Sequence, residues 1–216
     1  MAIKNDREYR NFQNFELKRA EGEEDSFIVE GYASTFESYS MMDFGDEEWR
    51  EEISPDAFKN TDMTDVVFLR DHVGQVFART KNSTVALLPD ERGLFTRTNL
   101  GSTSASRGMY EDIQAGLYSQ MSFAFTVGKH HFEERIAEDG KRIITRFIDS
   151  IKKVYDISAV AFPANPTTDI GISTRSIFDG AIEELRAERL SEQRAKNEEA
   201  RKRLAIKFKL EEGELI

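Results

Sequence analysis

The segment Met121-Ser122-Phe123-Ala124-Phe125 has a clear strand pattern. Large apolar side chains alternate with small ones along it, and this period of two is typical of a β-strand that buries one face. The alternation continues over residues 118–133, so we predict one long strand there. The turn signal Glu138-Asp139-Gly140-Lys141 and a return strand over residues 142–148 complete a predicted β-hairpin.

Outside this hairpin, the sequence contains many short strand patterns and few helical ones. The further predicted strands span residues 14–19, 26–36, 66–69, 83–88, 93–100 and 150–162. We predict a loop over residues 38–52, a helix that begins at Ser54, and a second helix over residues 104–116. Because strands and helices do not alternate regularly, the pattern indicates a β-rich α+β fold built as a sandwich or a barrel.

The sequence changes character after residue 176. Residues 177–216 contain 10 acidic and 9 basic side chains, and neither Gly nor Pro interrupts residues 181–210. This composition predicts a helix over residues 181–210, but its apolar stripe is thin. We therefore predict a body over residues 1–176 and a charged helical tail that projects from it. Such a tail is suited to weak association with another chain or with itself.

Composition argues against several classes of protein. The chain of 216 residues carries a net charge of −10, which disfavours nucleic-acid binding through phosphate contacts. Cysteine is absent, so a disulfide framework, a thiolate metal site and a cysteine nucleophile are excluded. The sequence has no apolar run of about 18 residues and no secretory pattern, so we expect no membrane segment and a cytoplasmic location. No motif suggests a metal or nucleotide cofactor, and none is expected.

Three polar residues in or beside apolar strands are candidates for nucleophilic catalysis. His72 follows the apolar run 66–69, an arrangement that would hold an imidazole beside a cleft as a general base. Ser122 points away from the face that carries Phe123, among small residues that leave room for a substrate. Asp156 lies within an apolar strand, where an acid needs a partner, and a histidine would serve as one.

Each candidate also has a purely structural interpretation that the residues leave open. His72 could be a surface or structural histidine, Ser122 a serine on a partly solvated sheet face, and Asp156 an acid that faces water on an edge strand. The two other histidines, His130 and His131, are neighbours on a predicted strand and point to opposite faces. They therefore do not predict a metal site.

Five segments carry a family resemblance through their shared order. They are Glu30-Gly31-Tyr32-Ala33-Ser34-Thr35-Phe36, Glu52-Ile53-Ser54-Pro55-Asp56-Ala57-Phe58, Phe68-Leu69-Arg70-Asp71-His72 with Phe77-Ala78-Arg79-Thr80, Met121-Ser122-Phe123-Ala124-Phe125, and Val154-Tyr155-Asp156-Ile157-Ser158-Ala159-Val160-Ala161-Phe162-Pro163-Ala164-Asn165-Pro166. These segments resemble the motifs of the HK97-type caudoviral prohead (capsid maturation) serine protease family over about residues 15–175. Two positions depart from the family pattern: Ala124 stands where the family has glycine, and Asp156 stands where it has glutamate.

The resemblance implies a fold like that of the herpesvirus assembly proteases, a closed β-barrel surrounded by helices. It also implies a serine endopeptidase that acts inside the assembling procapsid in the host cytoplasm. Such enzymes remove scaffolding sequence, often the scaffold region of the major capsid protein, and often cut themselves. On the matching residues, we expect Ser122 to be the nucleophile, His72 the general base and acid, and Asp156 the group that orients His72.

Two alternatives stay open. The chain could act chiefly as a scaffold or interaction protein of the procapsid, with residues 181–210 binding scaffold helices and little or no catalytic activity. An esterase using the same three residues is less well supported, because the sequence contains no G-x-S-x-G motif.

Overall fold

The computed structural model describes residues 7–12, 18–19, 27–161, 191, 194–199 and 201–203. The chain divides into two units, Met1–Ile170 and Gly171–Ile216. The elements of the first unit are, in chain order, β1 (Glu8–Phe12), β2 (Lys18–Arg19), β3 (Ile28–Thr35), β4 (Tyr39–Asp43), β5 (Glu47–Ile53), β6 (Val67–Arg70), β7 (Val73–Arg79), a short 3₁₀ helix (Thr80–Asn82), β8 (Val85–Pro89), β9 (Gly93–Asn99), α1 (Ser104–Gln114), β10 (Gln120–Ile136) and β11 (Arg142–Val160).

The long strand β11 organises the larger sheet. One of its edges pairs antiparallel with β10. Its other edge pairs in parallel with β5 over Arg142–Ile148 and in parallel with β6 over Asp156–Ala159. The remaining strands extend this sheet, since β1 adds to β10, β4 adds to β5 and β7 adds to β6. The strand β11 therefore lies between β10 and β6.

The smaller sheet has the strand order β2-β3-β9-β8 and packs against the larger one through a shared apolar core. Val29 and Leu94 contribute from the smaller sheet, and Phe123, Phe125 and Ile157 contribute from the larger one. The rings of Phe123 and Phe125 are stacked with their centroids 4.3 Å apart. This alternation of large residues is the pattern from which the strand was predicted.

Most of the predicted elements are confirmed where the structure describes them. The strands predicted over residues 26–36, 66–69, 83–88, 93–100 and 118–133 correspond to β3, β6, β8, β9 and β10, and the helix predicted over 104–116 is α1. Gly140 has a φ of +86° in the turn between β10 and β11, as the Asp-Gly signal predicted. The two strands predicted over 142–148 and 150–162 form the single strand β11.

The loop predicted over residues 38–52 is wrong, because β4 and β5 form an antiparallel pair there. Trp49, Glu51 and Ile53 are the buried residues of β5, so one of the three inward positions carries a charge. A buried glutamate breaks the apolar alternation by which a strand is recognised, and the segment therefore looks solvent-exposed in the sequence.

The helix predicted to begin at Ser54 is also wrong, since residues 54–60 form turns. The Ser54 amide donates to the carbonyl of Ile148, and the Ile151 amide donates to the carbonyl of Ala57. Some backbone groups of this segment are therefore hydrogen-bonded to β11, and its internal bonds are those of turns, such as the Ala57 amide to the Ser54 carbonyl. The strand predicted over residues 14–19 is described only as β2, Lys18–Arg19, and residues 13–17 lie outside the described residues.

The β-rich class is confirmed, but the closed barrel stays a prediction. Among the described strands, no pairing joins the two sheets, and α1 is the one α-helix described between residues 7 and 161. In the tail, the described residues 191, 194–199 and 201–203 are helical and exposed, and the rest of the helix predicted over 181–210 lies outside the described residues. The boundary predicted after residue 176 stays a prediction. No helix among the described residues is long and apolar enough to span a membrane.

A buried ionic network fastens β1 to the larger sheet. The Arg10 guanidinium donates to both carboxylate oxygens of Glu51, at 2.5 and 2.8 Å, and to Glu8 at 2.6 Å. Arg146 on β11 donates to Glu8 at 2.7 Å and to Glu51 at 3.0 Å. All four residues are at most 6% exposed. Two positive and two negative groups compensate each other, as buried charges require.

The network lowers the pKa values of the two carboxyl groups within it. Burial raises the pKa of Glu8, but the charges of Arg10 and Arg146 outweigh burial and lower that pKa to about 2. Burial raises the pKa of Glu51, but the charge and hydrogen bonds of Arg10 together with the charge of Arg146 outweigh burial and lower that pKa. A carboxyl group whose pKa is lower in the folded state stabilises the fold above its unfolded pKa and loses that contribution as the pH falls.

We therefore predict that Glu8→Gln removes part of the acid sensitivity of the fold. The shift from 4.5 to about 2 corresponds to about 3 kcal/mol of stability at neutral pH, which disappears between about pH 4.5 and pH 2. Urea unfolding measured across this range should give a flatter pH profile for the variant, on chains whose intact mass shows that residues 1–12 are retained. The exposed control Glu37→Gln should keep the profile of the original chain. Identical profiles for Glu8→Gln and the original chain would contradict the account.

Candidate active site

Ser122 lies on β10 with a hydrogen-bonded strand on either side of it. It is opposite Ser158 of β11 on one edge and opposite Asn11 of β1 on the other. The sequence predicted a serine on a face with room for a substrate, but the side chain is fully buried. The difference arises because β1 and the turn between β6 and β7 cover this part of β10, and neither feature is visible in the pattern of β10 itself.

His72 occupies the two-residue turn that joins β6 to β7. Asp71 and His72 have φ values of +48° and +60°, the left-handed conformation that such tight turns require and that non-glycine residues rarely adopt. The Asp71 amide donates to the carbonyl of Ala159 at 3.1 Å, and the His72 amide donates to the Ser158 hydroxyl at 3.2 Å. These bonds to β11 hold the turn in its strained conformation.

Asp156 lies in the middle of the larger sheet, where β11 pairs with β10 on one edge and with β6 on the other. Its side chain is 3% exposed, so the interpretation as an edge acid facing water is wrong. One carboxylate oxygen, Oδ1, lies 2.5 Å from Nδ1 of His72. The Ser158 hydroxyl donates to the same oxygen at 3.1 Å.

The three residues selected from the sequence form one continuous chain of hydrogen bonds. Nε2 of His72 lies 2.5 Å from the Ser122 hydroxyl oxygen, and Nδ1 faces Asp156. A carboxylate can only accept, so Nδ1 carries a hydrogen and Nε2 of a neutral imidazole is left to accept the serine hydrogen. A hydroxyl, an imidazole and a carboxylate in this order are able to generate a serine nucleophile.

The N-terminal strand covers all three members of this chain. The Ser122 hydroxyl donates to the Arg10 carbonyl oxygen at 2.8 Å. The Tyr9 ring meets the His72 ring edge-on with centroids 4.8 Å apart, and Nη1 of Arg7 lies 4.0 Å from Oδ2 of Asp156. The serine hydroxyl therefore has two acceptors for its one hydrogen, the imidazole and a peptide carbonyl.

Two parts of this site were not selected from the sequence. Ser158 is two residues after Asp156 on the same strand, so the two side chains point to the same face of the sheet. A search for polar residues two positions from Asp156 would therefore have found Ser158. The strand β1 offers no such signal. Its buried residues Glu8 and Arg10 are charged, so it lacks the apolar alternation by which a strand is recognised.

The two other histidines, His130 and His131, contact residues outside this site. Nδ1 of His131 lies 2.9 Å from Oδ2 of Asp149, and this hydrogen bond raises the pKa of His131. His130 contacts Arg146, so the two histidines have different partners. Within the described part of the chain, no three His, Asp or Glu side chains are grouped so that they could hold a metal ion.

The sequence itself was compared with known proteins. No curated protein and no solved structure shows significant similarity to the chain. A family described as caudovirus prohead serine protease matches residues 13–181, which include His72, Ser122 and Asp156. This match covers well over half of the chain, and the protein therefore belongs to the caudovirus prohead serine protease family.

Proposed function

We propose that the protein is a serine endopeptidase in which Ser122 is the nucleophile, His72 the general base and acid, and Asp156 the group that orients His72. The observation that carries the proposal is the continuous hydrogen-bonded chain from the Ser122 hydroxyl through both nitrogens of His72 to Asp156. Membership of a serine protease family supports the same assignment.

In the proposed reaction, the Ser122 hydroxyl attacks a peptide carbonyl carbon while its hydrogen passes to Nε2 of His72. The imidazolium that forms donates to Asp156, whose negative charge stabilises it. His72 then protonates the departing amine, and water cleaves the resulting ester with His72 again accepting a proton. Burial of Asp156 keeps water from competing for the imidazole.

An aspartate in place of the family's glutamate is compatible with this role. Asp156 pairs directly with Val67 of β6, and β6 leads into the turn that carries His72 after only a few residues. The turn is also fastened to β11 by the amides of Asp71 and His72. The imidazole therefore lies close enough for the shorter side chain, and Ser158 supports the same carboxylate oxygen.

We further propose that the substrates are scaffolding sequences of the procapsid, namely the scaffold region of the major capsid protein and the protein's own chain. The protein would act in the host cytoplasm, inside the assembling procapsid. Family membership supports a capsid maturation protease. The particular substrates and the location are our extension of that family-level function. Self-association through residues 181–210 remains a proposal of the same kind.

We predict that Ser122→Ala abolishes cleavage without unfolding the protein. The substitution removes one oxygen atom from a buried position, and loss of a serine nucleophile typically costs about 10⁴-fold or more in rate. Mass spectrometry of the major capsid protein after co-expression with the chain measures the effect. The exposed serine variant Ser40→Ala should cleave at the original rate. If Ser122→Ala cleaves as fast as this control, Ser122 is not the nucleophile and the assignment is wrong.

We also predict that Asp156→Asn lowers the rate by about 10³- to 10⁴-fold, because an amide can donate to Nδ1 and thereby stabilise the wrong imidazole tautomer. The same mass-spectrometric assay applies. Asp149→Asn is a matched control, since Asp149 lies on the same strand and also contacts a histidine, His131. Equal losses in the two variants would show that the effect of Asp156 is on the fold instead of on the reaction.

A further inference from the structure

The Ser122 hydroxyl is inaccessible in this structure, although a protease nucleophile has to meet a peptide. Ser122 is fully buried, and the peptide group in contact with its hydroxyl is the Arg10 carbonyl of β1. Among the described residues, β1 and the turn between β6 and β7 cover Ser122, and β1 lies at the edge of the sheet, so a substrate can reach Ser122 along the path that β1 now occupies.

We propose that β1 lies in the substrate-binding groove, and that this groove selects an arginine at the residue whose carbonyl contacts Ser122 and a glutamate two residues earlier. The proposal rests on the proposed function, because it assumes that Ser122 is the nucleophile. It adds the class of substrate: an extended strand with the pattern Glu-x-Arg, cut after the arginine.

The backbone of β1 makes the contacts that a bound peptide would make. It pairs antiparallel with β10 in continuous register from Glu8 opposite Phe125 to Phe12 opposite Met121. Among the described strands, β1 is the outermost one on this side of the sheet, so its departure would leave the edge of β10 free of them. Peptides commonly bind by adding a strand to a free sheet edge, where the main-chain bonds give affinity and side-chain pockets give selectivity.

The pocket for the arginine is built around Glu51. Both oxygens of this fully buried carboxylate accept from the Arg10 guanidinium, at 2.5 and 2.8 Å. The Tyr39 hydroxyl donates to the same carboxylate and orients it. Lysine cannot make the two parallel bonds that a guanidinium makes with a carboxylate, so the pocket should favour arginine over lysine.

The glutamate of the pattern is bound by Arg146. This side chain donates to Glu8 at 2.7 and 3.0 Å and also contacts Glu51. When β1 leaves, Glu51 and Arg146 remain as a neutral ion pair, so the empty groove holds no uncompensated charge. A strand that brings one arginine and one glutamate restores the four-charge network.

The same geometry identifies a bond within the chain itself. Attack of the Ser122 oxygen on the Arg10 carbonyl carbon forms an ester, breaks the peptide bond to Asn11 and leaves the proton from His72 on the new amine. Water then hydrolyses the ester, restores the hydroxyl and releases a peptide that ends in the Arg10 carboxylate. Cleavage after Arg10 therefore opens the groove to other substrates.

The first test follows this bond in the full-length protein by intact mass. The original chain should be converted to a product that begins at Asn11, and Ser122→Ala should stay uncut. Arg10→Gln should slow this cleavage about 100-fold or more, because Glu51 loses both bonds to the Arg10 guanidinium and Glu8 and Glu51 then share the single positive charge of Arg146. Arg10→Lys should retain part of the rate. The matched control Arg135→Gln removes an exposed arginine outside the groove and should cut normally.

The second test changes neither β1 nor the residues that bind its side chains. A library of peptides of mixed sequence is digested with the full-length protein, with Ser122→Ala as the blank, and the cut sites are aligned. Arginine should be enriched immediately before the cut, and glutamate two residues before the arginine.

The outcomes separate this inference from the proposed function. Cuts that depend on Ser122 but show no preference for arginine would overturn the inference and leave the serine protease assignment intact. Cleavage of Arg10→Gln at the rate of Arg135→Gln would also overturn it. If neither the chain nor the library is cut in a Ser122-dependent way, both proposals fail.

Discussion

The position of Asp156 between two strands is the constraint on which the site depends. Strands that pair through their backbones lie about 4.8 Å apart, so a residue on β11 has neighbours at fixed distances on both sides. On one side is β10 with Ser122, and on the other is β6, which leads to His72. The imidazole is therefore fixed between a hydroxyl and a carboxylate by sheet pairing, and Asp71 and His72 adopt an unfavourable φ to complete the turn.

A second constraint is the charged group at the centre of the larger sheet. Glu51 is completely buried on β5, and the two guanidinium groups that pair with it come from β1 and β11. Buried ion pairs rarely add much stability compared with apolar residues, but removal of one partner is costly. The network therefore fastens β1 beside β10, where the Arg10 carbonyl accepts a hydrogen bond from the Ser122 hydroxyl.

Sequence reasoning predicted the parts of this architecture that follow ordinary patterns. The apolar alternation of β10, the turn at Gly140 and the short run that becomes β6 are strong local signals, and they place Ser122 and His72 at definite points of a β-rich fold. The strands β1 and β5 were not predicted because their inward residues include Glu8, Arg10 and Glu51. A charge that is buried only because a partner 41 residues away compensates it looks like a solvated charge in the sequence. The contact of Ser122 with His72, 50 residues apart, was predicted from the family resemblance, since periodicity alone does not define distances between strands.

Labelling with a fluorophosphonate, which forms a stable ester only with an activated serine hydroxyl, shows whether His72 activates Ser122. The adduct is mapped by peptide mass spectrometry on the original chain and on His72→Ala. The account predicts a single adduct on Ser122 that is lost in His72→Ala. An adduct on a different serine, or equal labelling of Ser122 with and without the imidazole, would contradict it.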